Sequence, residues 1–294
     1  MSNFHEPVLL KEAVDGLRVE KDKKYIDATL GGGGHSFEIL RRGGIVLGID
    51  VDKEALEYIE KNKKPENLTI ARGNFRDISN IARLNNFNKV AGVIFDLGVS
   101  SHQIDSPKRG FSFQSEGPLD MRMDDSLGVK ALDLLKILTK GELNEIFTEF
   151  GEETNAWAIS DAIVRARSVK PIETTIELAK IVEEALRRKG LHKGETRAGQ
   201  SKKVFQALRI VVNDELNAIA EALPKALELL EEKGRICVIS FHSLEDRIVK
   251  KKFLEFEEKK MGKIITEKPI VPSLDEVQKN VRARSAKLRI FEKL

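Results

Sequence analysis

The stretch that decides the fold reads YIDATLGGGG and occupies residues 25–34. A short apolar run there leads into four glycines. Because glycine lacks a Cβ atom, the backbone can turn sharply at this point and come close to a ligand. A second apolar run, GGIVLGI at residues 43–49, follows a short amphipathic segment and ends at Asp50. The order strand, glycine turn, helix, strand and acid is typical of the first half of a nucleotide-binding α/β sheet, in which the acid holds a ribose.

The same alternation continues along the chain. The apolar periodicity predicts helices at 53–62 and 78–84 and further strands at 68–71, 90–95, 235–240, 263–267 and 288–292. We expect the first strands to run parallel and the last two to pair antiparallel at the sheet edge. Ligands of such sheets bind beyond the carboxyl ends of the parallel strands. The segments at those ends are Gly31 to His35, Asp50, Phe75 and Asp96. The sequence therefore predicts one ligand site at one edge of a Rossmann-like α/β domain.

A helical region interrupts this α/β domain. Residues 97–128 are rich in Gly, Ser, Pro and Asp, which predicts a long loop. Helix periodicity without a clear strand then continues to about residue 217. We expect a core domain of residues 1–110 and 215–294, with an inserted all-helical substrate-recognition domain of residues 111–214.

Composition limits the class of protein. Of the 294 residues, 41% are hydrophobic, which suffices for a sizeable core. The single cysteine, Cys237, excludes an intrachain disulfide and a cysteine-based metal site. Residues 1–12 contain no long apolar run, and no stretch approaches about 18 apolar residues. We therefore expect no signal peptide and no transmembrane helix, and a soluble, cytoplasmic protein.

Charge is distributed unevenly. The net charge is +3, but residues 187–209 hold eight basic residues against one acid, Glu195. A basic block of this kind predicts contact with a polyanion such as RNA, although a solvated charged face is the alternative. Arg209 lies inside an apolar stretch and is expected to be structural. The residues expected to contact RNA are Arg188, Lys189, Lys193, Arg197 and Lys202.

The glycine turn favours S-adenosylmethionine over other nucleotides. The chain lacks both a clean G-x-G-x-x-G and the G-x-x-x-x-G-K-[ST] of P-loop proteins. Asp27, just before the turn, suits the ammonium group of S-adenosylmethionine, whereas it would repel the pyrophosphate of NAD. We expect Asp50 to accept from both ribose hydroxyls and Asp52 to cap the next helix, with Asp52 as the alternative ribose acid. Phe75 is expected either to lie against the adenine or to belong to the core.

Two further clusters are predicted to reach the same edge. Residues 96–103, DLGVSSHQ, begin with an Asp that closes a strand, and its carboxylate and the two Ser hydroxyls can line a pocket with acceptors. His102 is a candidate base, with a structural or solvated histidine as the alternative. Residues 239–247, ISFHSLEDR, follow another strand, so His242 and Ser243 are expected to face the substrate or Ser243 to cap a helix. The histidines are scattered without metal-binding spacing, and no metal is expected.

Segments along nearly the whole chain match a known family. They are residues 5–14, 25–36, 96–101, 109–113, 117–124, 205–210 with 212–213, 240–247 and 282–285. On these segments the chain resembles the MraW/RsmH family of bacterial small-subunit ribosomal RNA cytosine methyltransferases. The resemblance implies methyl transfer from S-adenosylmethionine to the exocyclic 4-amino group of a cytidine in that RNA, within an assembled subunit. The cofactor contacts it implies are Gly33, Gly34, His35, Asp50, Phe75, Asp96 and Gln103, to which the turn itself adds Asp27 and Gly31.

The catalytic residues are less sharply indicated. Many amino-methyltransferases carry Asp/Asn-Pro-Pro-aromatic after the fourth strand, where this chain has Asp96-Leu-Gly-Val. We expect direct in-line displacement dominated by positioning, with Asp96, Ser100 and His242 as the catalytic residues. The candidates for stacking on the base are Phe111, Phe113 and Phe241. The alternatives are a non-catalytic RNA-binding or assembly factor and an NAD-dependent dehydrogenase.

Overall fold

The chain forms two compact units. The computed structural model describes residues 7–62, 65–188 and 197–294. The first unit comprises residues 1–100 and 216–294, and the second comprises residues 101–215. Segment 101–110, expected in the core domain, lies in the second unit.

Within the described residues, seven strands of the first unit form one sheet. They are β1 Lys24–Asp27, β2 Ile45–Asp50, β3 Leu68–Arg72, β4 Val90–Asp96, β5 Leu230–Ser240, β6 Gly262–Ile264 and β7 Lys287–Lys293. The strand order is β3-β2-β1-β4-β5-β7-β6. β1 to β5 run parallel, and β7 pairs antiparallel with both β5 and β6. The α/β class is confirmed, as is the antiparallel pairing of the two last strands.

Helices alternate with these strands in the first unit, and other helices form most of the second unit. They are α1 Leu10–Leu17, α2 Gly34–Arg41, α3 Lys53–Lys61, α4 Ile78–Leu84, α5 Ser101–Asp105, α6 Ala131–Ile137, α7 Lys140–Glu149, α8 Ala156–Val169, α9 Thr175–Arg188, α10 Arg197–Asn213, α11 Glu215–Leu229, α12 Ser243–Glu258 and α13 Leu274–Lys279. Among the described residues, no helix combines the length and the apolar character needed to cross a membrane.

The strand residues alternate between two apolar clusters, one on each face of the sheet. On β1, Tyr25 belongs to one cluster and Ile26 to the other, and Ile94 and Phe95 of β4 divide in the same way. Successive side chains of a strand point to opposite faces, so continuous apolar runs need helices on both sides. α1, α2 and α3 cover the face of Tyr25, while α4, α11 and α12 cover the other. With both faces covered, the ends of the strands are left to bind a ligand.

The strand bounds differ from the sequence predictions at turns. β1 ends at Asp27 rather than at residue 30, yet residues 28 and 30 still donate backbone N–H groups to β4 and β2. β5 begins at Leu230 rather than at residue 235. The polar residues 231–233 lie in a register irregularity of that strand, which hides its beginning from the apolar pattern.

The predicted loop at 97–128 is more ordered than its composition indicates. It contains α5 and a turn of 3-10 helix at Pro107–Arg109. Asn213, at the end of α10, holds the remainder of this segment. Its side-chain oxygen accepts from Met123 N–H at 2.7 Å, and its amide group donates to Met121 O at 2.8 Å.

Candidate active site

Asp50, the last residue of β2, binds the glycine turn. Its Oδ2 accepts from Gly31 N–H at 2.7 Å, and its Oδ1 accepts from Asp52 N–H at 2.8 Å. A carboxylate offers about four lone-pair positions, so each oxygen can accept another hydrogen bond. The residue is only half-buried. The two hydroxyls of a ribose match this pair of acceptors.

Burial raises the pKa of Asp50 to about 6. This value already includes the carboxylates of Asp52 and Asp27, which raise the pKa, and the two backbone N–H donors, which lower it. A ligand that donates hydrogen bonds to the carboxylate favours its charged form. Ligand binding and ionisation of Asp50 are therefore coupled.

Asp52 caps α3. Its Oδ1 accepts from Glu54 N–H at 3.0 Å, and its residue is buried. A short acceptor at this position satisfies one of the backbone donors that the first helical turn leaves open. The capping role expected of Asp52 is confirmed.

Asp27 is buried and links the glycine turn to α2 through hydrogen bonds. Its Oδ2 accepts from Ser36 Oγ at 2.7 Å, and its Oδ1 accepts from Thr29 N–H at 3.2 Å. The residue is 1% exposed. Burial raises its pKa, and the charge of Asp96 adds to this, while His35 and Ser36 oppose it. Asp27 therefore shapes the turn, and the contact with an ammonium group expected from the sequence stays a prediction.

Asp96, the last residue of β4, is joined to the same turn. Its backbone N–H donates to Thr29 Oγ1 at 2.7 Å. Its Oδ2 lies 3.7 Å from His35 Nδ1, which is too long for a hydrogen bond but close enough for charge interaction. His35 is buried, and its Nε2 donates to Val8 O at 3.1 Å. The structure thus brings Asp96 and His35 together, and it adds Thr29, which the sequence reasoning missed.

The glycines of the turn face different surroundings. A Cβ atom on Gly33, whose φ is +80°, would lie 2.8 Å from Phe37 Cε2 and 2.9 Å from Ile59 Cδ1. A Cβ on Gly34 would lie 2.8 Å from Pro7. At Gly31, φ is +49°, and a Cβ atom would meet only Thr29 O, at an ordinary contact distance of 3.9 Å. A Cβ on Gly33 or Gly34 would thus meet side chains of the protein itself, whereas a Cβ on Gly31 would meet no close neighbour.

Phe75 begins a 3-10 turn directly after β3. Its ring packs edge-on against Phe95 with centroids 5.7 Å apart and planes at 88°. The residue is only half-buried, so part of the ring is left uncovered. Both interpretations made from the sequence agree with this position, because the ring contacts the core and still presents a surface.

The segment after β5 lies beside the segment after β4. A Cβ on Gly98 would stand 3.9 Å from the ring of Phe241. His242, not Ser243, is the N-cap of α12: its Nδ1 faces Glu245 N–H at 3.5 Å, and its Nε2 lies 3.2 Å from Glu245 Oε1. Both ring nitrogens thus face Glu245, and the expected capping by Ser243 is wrong because the helix begins one residue earlier, at Ser243 itself.

Several predicted residues lie in the second unit. Gln103 is buried on α5, and Phe111 is also buried. Phe113 packs edge-on against Phe205 with centroids 5.7 Å apart. The contact with Phe205 gives Phe113 a structural role within the unit.

The expected RNA-contacting residues are described unevenly. Lys202 is exposed on α10. Lys189 and Lys193 lie outside the described residues, and only the backbone is described for Arg188 and Arg197. Arg209 pairs with Glu215 through two hydrogen bonds of 2.9 and 3.0 Å, which confirms its structural role.

The donor and acceptor set fits S-adenosylmethionine. Asp50 keeps room for two hydroxyl donors, Gly31 leaves the backbone open to close approach, and Phe75 presents part of its ring. Asp96 adds a carboxylate at the next parallel strand.

A parallel sheet with a glycine turn, a ribose-type acid and a second carboxylate at one edge defines a Rossmann-like enzyme that acts with a nucleotide cofactor. The MraW methylase family matches residues 2–294, and the chain belongs to that family. It is a methyltransferase that uses S-adenosylmethionine, and the dehydrogenase alternative is excluded.

Two curated relatives are named ribosomal RNA small subunit methyltransferase H. The protein of Halothermothrix orenii is 45% identical over 99% of this chain and 98% of its own length. The protein of Carboxydothermus hydrogenoformans is also 45% identical, over 100% and 99%. A solved rRNA methylase of Streptococcus thermophilus is 13% identical with a TM-score of 0.45, covering 96% of this chain and 95% of its own. A likeness that distant adds no argument.

Proposed function

We propose that this protein methylates the exocyclic 4-amino group of a cytidine in small-subunit ribosomal RNA, presented within an assembled small subunit. The observation that carries the proposal is the position of Asp96. This carboxylate closes β4, is tied to the glycine turn through Thr29, and lies at the same edge of the sheet as Asp50. An acceptor for an amino group thus stands beside a site suited to a nucleoside.

The cofactor half of the site contains the first three strands. Asp50 accepts the ribose hydroxyls, and Gly31 gives the cofactor access to the backbone. Phe75 lies against the adenine with the part of its ring that Phe95 leaves uncovered. The remaining cofactor contacts in the proposal are Gly33, Gly34 and His35 of the turn, and Gln103, which is buried on α5 in the second unit.

The acceptor half of the site is built by Asp96 and the segment after it. The lone pair of a cytosine 4-amino group is conjugated with the ring, so the nitrogen is a poor nucleophile until its hydrogens are held. Asp96 and Ser100 accept those hydrogens, and the negative charge of Asp96 stabilises the positive charge that develops on the nitrogen. S-adenosylmethionine, when bound, supplies a methyl group activated by its sulfonium. The target base must leave its stack to reach such a site.

In this proposal, His242 holds the segment after β5 in place. Its two ring nitrogens face Glu245, and the same carboxylate accepts from Phe241 N–H at 2.7 Å. This network fixes Phe241, the aromatic residue available in the first unit for stacking on the base.

Transfer of labelled methyl groups to isolated small subunits tests the proposal. We expect incorporation into the subunit's RNA and less into the same RNA free of protein. Asp96→Asn is expected to lower turnover by about 10²–10³-fold, the typical loss for one electrostatic group in a transition state, while S-adenosylmethionine still binds. Unchanged turnover would move the acceptor role to Ser100 or His242. Absence of any incorporation by the wild-type protein would contradict the proposed substrate.

A further inference from the structure

The second unit contains a groove between α8 and α9. Its volume is about 630 Å³, which lies within the range of about 300–1,000 Å³ that is typical of ligand clefts. On α8 the groove is lined by Ala158, Ala162 and Ala166, and on α9 by Ile181 and Ala185. The three alanines are four residues apart and therefore share one face of α8. Because their side chains are short, they leave room for a flat group between the two helices.

Trp157 of α8 borders this groove and is 57% exposed. Lys140 of α7 places its ammonium group 4.1 Å from the centre of the indole ring. An ammonium group over the face of an aromatic ring is attracted to it, so this contact holds the ring in place. The exposed surface of the ring remains open to a second flat group. Trp157 thus offers a prepared stacking surface beside an apolar groove.

Asp161 ties the charged side chains of the groove together. Its Oδ1 accepts from Lys140 Nζ at 2.7 Å, and its Oδ2 lies 2.7 Å from a guanidinium nitrogen of Arg165. The hydrogen bond from Lys140 lowers the pKa of Asp161, so this side chain is charged at neutral pH. Among the described residues that line the groove, two are cations and two, Asp161 and Glu184, are acids. These charges balance, and the groove therefore suits a neutral ring better than a phosphate chain.

The same side chains offer both kinds of hydrogen-bonding group to the edge of a ring. A carboxylate has about four lone-pair positions and a guanidinium has five N–H donors. The side chain of Arg165 is 64% exposed and that of Asp161 is 33% exposed, so both can meet a ligand. Proteins recognise single-stranded RNA by stacking unpaired bases on aromatic rings and by hydrogen-bonding the edges of these bases. The groove provides both elements of this recognition.

We propose that Trp157 stacks on an unpaired base of the substrate RNA, which enters the groove between α8 and α9 with its edge against Asp161 and Arg165. The inference rests on the proposed function, because the RNA substrate comes from it. It names a base contact in the inserted helical unit, where the sequence predicted phosphate contacts by residues 187–209. The two kinds of contact differ in their dependence on salt.

The expected effect of removing the ring follows from the strength of stacking. Loss of one aromatic side chain that stacks on a base weakens single-strand binding by roughly 5- to 150-fold. We therefore expect a Kd larger by this factor for Trp157→Ala, and a Kd within about 5-fold of wild type for Trp157→Phe, which keeps an aromatic face. Stacking releases no counterions, so the log–log slope of affinity against salt should be the same in all these proteins.

The chain contains a single tryptophan, so the indole fluorescence of the intact protein reports on this groove alone. The protein is titrated with a single-stranded RNA that contains adenine and cytosine, and anisotropy of the labelled RNA gives the Kd in parallel. We expect the RNA to quench the emission of Trp157 and to protect it from acrylamide. The matched control is Val169→Ala, which shortens an exposed apolar side chain at the other end of α8 and should bind RNA like the wild type. The affinity for S-adenosylmethionine should be unchanged in every variant.

Unchanged indole emission at RNA concentrations that saturate the anisotropy signal would overturn the inference. Wild-type affinity of Trp157→Ala would also overturn it, as would a loss equal to that of Val169→Ala or a flatter salt slope. If Trp157→Ala does not fold, the quenching of the wild-type protein and the affinity of Trp157→Phe still decide the question. The proposed function fails separately, through absence of methyl transfer by the wild-type protein.

Discussion

If Asp50 binds the ribose as proposed, the affinity for the ligand should depend on pH. Its pKa in the ligand-free protein is about 6, and only the ionised carboxylate accepts both ribose hydroxyls. The ionised fraction is therefore about one-half at pH 6 and about one-tenth at pH 5. Apparent affinity scales with the competent fraction, so Kd should be about 11-fold larger at pH 5 than at pH 8.

The same shift predicts how stability of the ligand-free protein depends on pH. The folded protein raises the pKa of Asp50 from its ordinary value of 3.8 to about 6, so folding favours the protonated carboxyl. Asp50 therefore contributes on the order of 3 kcal/mol to the free energy of unfolding below about pH 4, and this contribution is lost as the pH rises through 6. Asp50→Asn should abolish this dependence.

Calorimetric titration with 5′-methylthioadenosine between pH 5 and 8 is the suitable assay, because that nucleoside has the ribose but neither the ammonium nor the carboxylate of the cofactor. Asp50→Asn should bind weakly and without pH dependence in this range. Asp52→Asn is the matched control, because asparagine also caps helices and the ribose acid is untouched. A wild-type affinity that does not change between pH 5 and 8 would refute the assignment of Asp50.

Three substitutions test the rest of the site. Gly33→Ala should lower the free energy of unfolding by about 1–3 kcal/mol, because its Cβ meets Phe37 and Ile59. Gly31→Ala should weaken cofactor binding more than it lowers the stability of the fold. Denaturant titration measures the stability and calorimetry measures the binding, and the reverse ranking of the two variants would contradict the turn geometry. Thr29→Val should lower the free energy of unfolding by about 1–3 kcal/mol and lower turnover, because the Asp96 N–H loses its acceptor. Thr29→Ser should retain both the stability and the turnover, and equal effects of the two substitutions would refute the role of the hydroxyl. His242→Asn should keep the α12 cap and most turnover, and a large loss of turnover in a folded variant would assign the imidazole a chemical role.

The strand ends were predictable because a few neighbouring residues mark each of them. Apolar runs that stop at Asp50 and Asp96 mark the ends of parallel strands, and parallel strands bring their carboxyl ends to one edge. The capping role of Asp52 follows in the same way from its place just before an amphipathic helix.

Contacts between distant parts of the chain were not predictable. Thr29 and Asp96 are 67 residues apart, and Val8 and His35 are 27 apart, so no local pattern marks these pairs. Thr29 also has the β-branched shape of an ordinary strand residue, which conceals its role as an acceptor. The direction in which a Cβ atom would point is equally hidden, so the sequence does not show that a side chain at position 33 would meet Phe37.

Nucleoside analysis of the methylated RNA tests the central claim most directly. Small subunits are incubated with the protein and methyl-labelled S-adenosylmethionine, and their RNA is digested and separated by mass. The label should appear in a cytidine methylated on its 4-amino nitrogen, and it should disappear with Asp96→Asn. Label on a ring carbon of cytosine, on another base or on a ribose hydroxyl would contradict the account, because we propose that Asp96 and Ser100 hold the hydrogens of an amino group.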